Sequence, residues 1–160
     1  MNTLLQRLRK FFDFDNQTQR AVEQKAVLPQ KEKRFACPCC GYPTLCERGA
    51  YEICKLCFWE DDGQDDADEV LPGPNHGYSL AESRRNFERY LVMYPPEEDP
   101  RFEGGDNEKT KQIKRALIAV FDKMQNEPPA EELNALWQEV DKHEKALRDE
   151  LNRRVEEDDE

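Results

Sequence analysis

Six cysteines fall within twenty-one positions, in "CPCCGYPTLCERGAYEICKLC" at 37–57, and the rest of the chain has none. Four of them form two Cys-x-x-Cys turns, Cys37/Cys40 and Cys54/Cys57, with thirteen residues between the turns. A turn of this kind lets two sulfurs converge on one ion while backbone amides bond back to them, and two such turns complete a tetrahedral cage. In the first turn Pro38 fixes the backbone and Gly41 gives the chain freedom to leave it. The spacing therefore predicts one structural Zn²⁺ held by Cys37, Cys40, Cys54 and Cys57.

The rival reading of Cys-Pro-x-Cys is thioredoxin-type redox chemistry. That motif wants a strand before it and a helix opening at its first cysteine, whose amides lower the thiol pKa. Here a charged stretch, "PQKEKR", comes before, and Gly41 and Pro43 spoil a helix after. Cys39, between two ligands, is expected to point away from their ion, and Cys46 to sit in a strand as a small buried hydrophobe. The sharper alternative makes those two a second thiol pair, redox-active or metal-sensing.

At 160 residues, with 37% apolar and 37% charged, the chain suits a small stapled unit with polar helical additions better than one large core. The net charge of −11 is uneven. Residues 1–34 carry eight Lys/Arg against four Asp/Glu, residues 35–100 five against fourteen, and residues 101–160 eleven against seventeen. The cysteine-bearing middle would repel a phosphate backbone and attract a basic surface. No apolar run approaches the ~20 residues that span a bilayer. The opening "MNTLLQRLRKFF" reads as an amphipathic helix, not an export signal. A reducing cytoplasm is the expected compartment, where thiols favour metal over disulfides.

The expected organisation is an amphipathic arm and tether at 1–34, a zinc-ribbon-like domain at 35–94, a linker at 95–107 and a helical hairpin with an acidic tail at 108–160. The fold class is α+β. A β-hairpin is predicted across Arg48-Gly49 in "TLCERGAYEI", and Ser79 with Glu82 has capping-box spacing at the start of a helix ended by Pro95 and Pro96. A second helix is expected from about Glu108 to Gln125, with Ile113, Leu117, Val120, Phe121 and Met124 as its stripe. A third runs from about Ala130 to Val155, with Leu133, Leu136, Trp137, Val140, Leu147 and Leu151 on one face, weakening at His143-Glu144. These two helices would form a hairpin over Pro128-Pro129 or pack on another copy of the chain. His143 reads as solvated and Trp137 as core.

The stretches "CPCCGYPTLCERGAYEICKLCFWEDDGQDD" and "GPNHGYSLAESRRNF" resemble the cysteine-rich CPCC family of small bacterial domains. The likeness covers roughly Phe35 to Tyr94, extending toward "DPRF" at 99–102. It implies a zinc-ribbon-like domain with Cys37, Cys40, Cys54 and Cys57 as ligands, and no particular activity. Lys55 stands where the family's second knuckle often has proline. The arm and the C-terminal helices lie outside the likeness.

Phe58 and Trp59, straight after the last ligand, are expected to cover the centre, with a stacking platform as the alternative. Glu60, Asp61, Asp62, Asp65 and Asp66, with His76 in "PNHG", suggest a metal-dependent hydrolase in which carboxylates bind an ion and histidine moves a proton. Their spacing does not match an EF-hand, and Asp and Asn beside Gly are turn formers in their own right. The preferred reading is a non-enzymatic module whose acidic surface meets a protein partner, as an immunity-type inhibitor of a basic toxin would. Nucleic-acid binding would have to use the arm's Arg7, Arg9, Lys10, Lys31, Lys33 and Arg34.

Overall fold

A computed structural model describes Leu4, Arg7, residues 34–65 and residues 74–159. The chain divides into two compact units, Met1–Tyr94 and Pro95–Glu160.

In the first unit the cysteine turns decide which strands pair. β1 (Phe35–Ala36) lies antiparallel to β2 (Pro43–Leu45), Phe35 opposite Leu45, so this two-stranded sheet closes around the first knuckle. The chain at 51–53 pairs across the second knuckle instead: Ile53 bridges Glu60, the Tyr51 amide donates to the Asp61 carbonyl at 2.9 Å, and the Asp61 amide donates to Glu52 at 3.0 Å. The hairpin expected across Arg48-Gly49 therefore does not form among the described residues. Each knuckle folds its own flanks together, and that leaves residues 46–50 as an irregular turn. The side chain of Glu52 spans that turn, accepting from the Cys46 amide at 2.8 Å.

α1 (Leu80–Tyr90) opens on the predicted capping box, the Glu82 amide donating to Ser79 Oγ at 3.1 Å while the Glu82 carboxylate accepts from the Ser79 amide. It ends before the two prolines. Leu91 turns left-handed at φ 63°, and its amide caps the Phe87 carbonyl at 2.8 Å. The early stop brings Val92, Met93 and Tyr94 inward, with the Met93 amide donating to the Cys57 carbonyl at 2.9 Å. Asn86 Nδ2 fixes the Met93 carbonyl from the helix side at 2.9 Å.

In the second unit a single 3₁₀ turn, Pro96–Glu98, precedes α2 (Glu108–Met124) and α3 (Ala130–Asp158). Asn107 caps α2, accepting from the Thr110 amide at 2.8 Å. The two helices form the expected hairpin, burying Leu117, Ile118, Val120, Phe121 and Met124 against Leu136, Val140 and Leu147. Glu144 is buried in that seam, where the apolar stripe weakens. At 1.5 Å per residue, α3 outruns α2 by roughly 18 Å. Its far end meets the loop before α2: Arg154 lies 3.9 Å over the Phe102 ring and donates to the Gly105 carbonyl at 3.1 Å. Under that loop Lys114 pairs with Asp106 at 2.6 Å, both buried, and Arg101 joins Asp106 to Asp99. No helix among the described residues is long and apolar enough to cross a membrane.

Candidate metal centre

The two knuckles are built to one plan. The amide of each first cysteine donates to the carbonyl five residues on, Cys37 to Tyr42 and Cys54 to Trp59, both at 2.9 Å. The amide four residues on donates back, Gly41 to Cys37 at 2.8 Å and Phe58 to Cys54 at 3.0 Å. The residues carrying those returning amides are both left-handed, Gly41 at φ 79° and Phe58 at φ 69°. Glycine takes that conformation freely, whereas phenylalanine adopts it against the clash of its Cβ. The ring of Phe58 is half-buried, while Trp59 beside it is fully buried. Trp59 thus has no exposed face for stacking, and its Nε1 has no hydrogen-bond partner among the described residues.

The result is four buried sulfurs within 4.8 Å of one another, on Cys37, Cys40, Cys54 and Cys57. Cys37 Sγ lies 3.6 Å from Cys57 Sγ, and Cys40 Sγ lies 3.7 Å from Cys54 Sγ. A disulfide would need about 2.05 Å. An ion held tetrahedrally by thiolates at about 2.3 Å sets its sulfurs about 3.8 Å apart. The observed spacing fits a metal cage and excludes bonded pairs. All six cysteines are free thiols.

Hydrogen-bond donors lie against two of the sulfurs. The Cys57 amide points to Cys54 Sγ and the Trp59 amide to Cys57 Sγ, each at 3.5 Å, and the buried Thr44 hydroxyl lies 2.9 Å from Cys54 Sγ. Burial pushes the thiols of Cys37, Cys40 and Cys57 well up. Burial works the same way on Cys54, but hydrogen bonds from the three neighbouring thiols outweigh it and hold that sulfur well below its ordinary value. A cation bound among them would favour the thiolate form of all four. Four cysteines here could hold a metal ion, with thiolate donors suited to a soft or borderline one.

Cys39 is buried beside the cage, its thiol pushed up by burial, and its sulfur is not one of the four that converge. Cys46 is partly exposed.

The acidic loop is occupied by its own chain. Asp61 is fully buried; its Oδ2 accepts from Arg48 Nε and the Gly49 amide, both at 2.8 Å, and its Oδ1 from the Gly63 amide at 3.1 Å. Asp65 also pairs with Arg48 at 2.7 Å, and Asp62 holds the Gln64 side chain at 2.9 Å. Asn75 clamps Glu60 from both sides, accepting its amide and donating to its carbonyl at 2.9 Å. His76 is exposed, with its ring edge-on to Tyr94 at 5.5 Å. Among the described residues no second group of His, Cys, Asp or Glu ligands converges beyond the four cysteines. Asp66 lies outside the described residues, as do Arg9, Lys10, Lys31 and Lys33. Arg84 reaches the first knuckle, donating to the Pro38 carbonyl at 2.9 Å. What sequence reasoning missed is Arg7, fully buried against that same knuckle; a lone arginine in an amphipathic arm carries no local signal of this.

These features define a small α+β module folded around two cysteine knuckles. Residues 35–101 match the family model described as Cysteine-rich CPCC. No curated protein and no solved structure matches the chain.

Proposed function

We propose that Cys37, Cys40, Cys54 and Cys57 hold one zinc ion whose work is structural, and that the module so stapled is a non-enzymatic binder of a basic protein partner in the reducing cytoplasm. The observation that carries the metal reading is the buried four-sulfur cage at tetrahedral edge lengths. Zinc supplies no redox or catalytic chemistry with all four positions taken by protein; the cysteines fix the ion, and the amides of Cys57 and Trp59 and the Thr44 hydroxyl steady their charge.

The partner reading rests on the acidic middle of the chain and on one exposed edge. Tyr51 and Ile53 are 60% and 49% exposed on the segment that pairs with 59–61, and the chain of these paired stretches also carries Glu47, Glu52 and Glu60. Tyr51 sits left-handed at φ 61°, an unusual conformation for a bulky side chain and one that marks functional positions. An exposed apolar pair in an acidic stretch suits a partner segment that is basic and apolar in turn, as in an immunity-type pairing with a basic toxin. The helical hairpin, with Val155 half exposed, is the proposed surface for self-association. The hydrolase alternative draws no support from Asp61, which is committed to Arg48 and the loop amides.

Native mass spectrometry with metal analysis, on protein purified under reducing conditions without added metal, tests the centre. One zinc per chain is expected, with Cys46 alkylated readily and Cys39 protected. No metal, or disulfides in its place, would sink the reading. Self-association is read from sedimentation of the wild type and of Val155→Glu.

A further inference from the structure

Arg7 meets the first knuckle from far along the chain. Its Nε donates to the Cys40 carbonyl at 2.8 Å, 33 residues away, and its Nη2 pairs with Glu88 on α1. Its guanidinium lies 4.7 Å from the Tyr42 ring centroid and 6.0 Å from that of Phe87. The contact is close-fitting at the next residue, because a Cβ on Gly41 would sit 2.9 Å from Leu4 Cδ1 and 3.1 Å from Arg7 Cβ. From α1, Arg84 Nε donates to the Pro38 carbonyl at 2.9 Å. Arg34, buried just ahead of β1, makes a longer 3.4 Å contact to the Pro43 carbonyl. Three guanidinium groups, from the arm, the lead-in to β1 and the helix, thus grip the carbonyls of a single loop.

Burying a guanidinium is costly unless opposite charge and hydrogen bonds offset it. Glu88 offsets part of the charge on Arg7. Four thiolates around a divalent ion leave two net negative charges, also buried, and in a low dielectric such charges act on cations beyond hydrogen-bond range. A guanidinium on a knuckle carbonyl also fixes and polarises the peptides that carry the cysteines.

We propose that Arg7, Arg34 and Arg84 form a cationic collar that offsets the charge of the metal-loaded cysteine centre, and that Arg7 is a clasp retaining the ion. This rests on the four-cysteine zinc reading. Arg7 is a positioning residue for the centre, and its burial withdraws it from any basic surface the arm offers to nucleic acid.

The test uses the full-length zinc-loaded protein and excess 4-(2-pyridylazo)resorcinol, following ion release by absorbance. Arg7→Met and Arg84→Met are expected to speed release by about tenfold or more, the usual cost of losing a group that supports a ligand. Arg7→Lys, which keeps the charge and loses the fork, should fall between Arg7→Met and wild type. The exposed neighbour Arg85→Met should release at the wild-type rate. Should Arg7→Met fail to fold by circular dichroism, Arg84→Met and Arg7→Lys decide by the same criteria. A wild type without metal removes the zinc reading and the collar with it. A wild type holding one ion, with every variant releasing it at the wild-type rate, overturns the collar alone; Arg7→Lys as fast as Arg7→Met overturns its electrostatic basis.

Discussion

Gly41 and Gly77 separate two costs that usually come together. Both have positive φ, 79° and 77°, but a Cβ at Gly41 meets the arm within about 3 Å whereas one at Gly77 meets nothing within 4 Å. Gly77→Ala should therefore cost only the left-handed backbone, about 1–2 kcal/mol. Gly41→Ala should cost that and the displacement of Leu4 and Arg7, showing as a larger fall in Tm of the metal-loaded protein. Equal losses would mean that the arm's contact carries no energetic weight. The need for glycine at 41 was legible as an exit from the turn; that the same position also admits the arm was not, because nothing near it in sequence names Leu4 or Arg7. Phe58 makes the converse point. It takes the same conformation in the second knuckle, so its side chain, not its backbone preference, is what that position uses.

At the scale of elements, the helices followed their local signals closely. Asn107, Pro128 and Pro129 bound α2 and α3 as cap and breakers do, and the Ser79–Glu82 box opened α1 where its spacing placed it. The end of α1 did not follow, since a non-local bond from Met93 to Cys57 competes with helix continuation and wins. In the hairpin, Glu150 on α3 accepts from Arg153, Lys109 and Asn107, joining the end of one helix to the start of the other. The Arg153 hydrogen bond, with help from Lys109 and Asn107, holds its carboxyl down at about 2. A depressed carboxyl stabilises the fold above its unfolded pKa, near 4.3, and loses that contribution as pH falls toward 2. Glu150→Gln should leave stability at pH 2 little changed, lower it at neutral pH, and flatten the acid limb between. Thermal unfolding across pH 2–7 measures this, and an unchanged acid limb would show that the cluster is fully screened.

For the whole molecule, the net charge of −11 makes association with a basic partner an ionic-strength effect. Capture of such a partner should weaken steeply between low and physiological salt, chiefly through the association rate. Tyr51→Ala with Ile53→Ala should instead raise the dissociation rate and leave the salt slope in place, because truncating apolar contacts removes no charge. Surface plasmon resonance across a salt series separates the two. A salt-independent association would remove charge as the recognition principle.

By itself the sequence determined the cysteine cage, the helices and most of their boundaries. Those features depend on spacings of a few residues, where turn geometry, capping and side-chain periodicity act within reach of one another. Tertiary structure decided which strands pair, where α1 stops, that Asp61 is a buried anchor for Arg48, and that Arg7 lies beneath the first knuckle. The last of these joins positions 33 and 81 residues apart. Such contacts form because a buried guanidinium needs several partners at once, and only the assembled fold brings a carbonyl, a carboxylate and two aromatic faces to the same point.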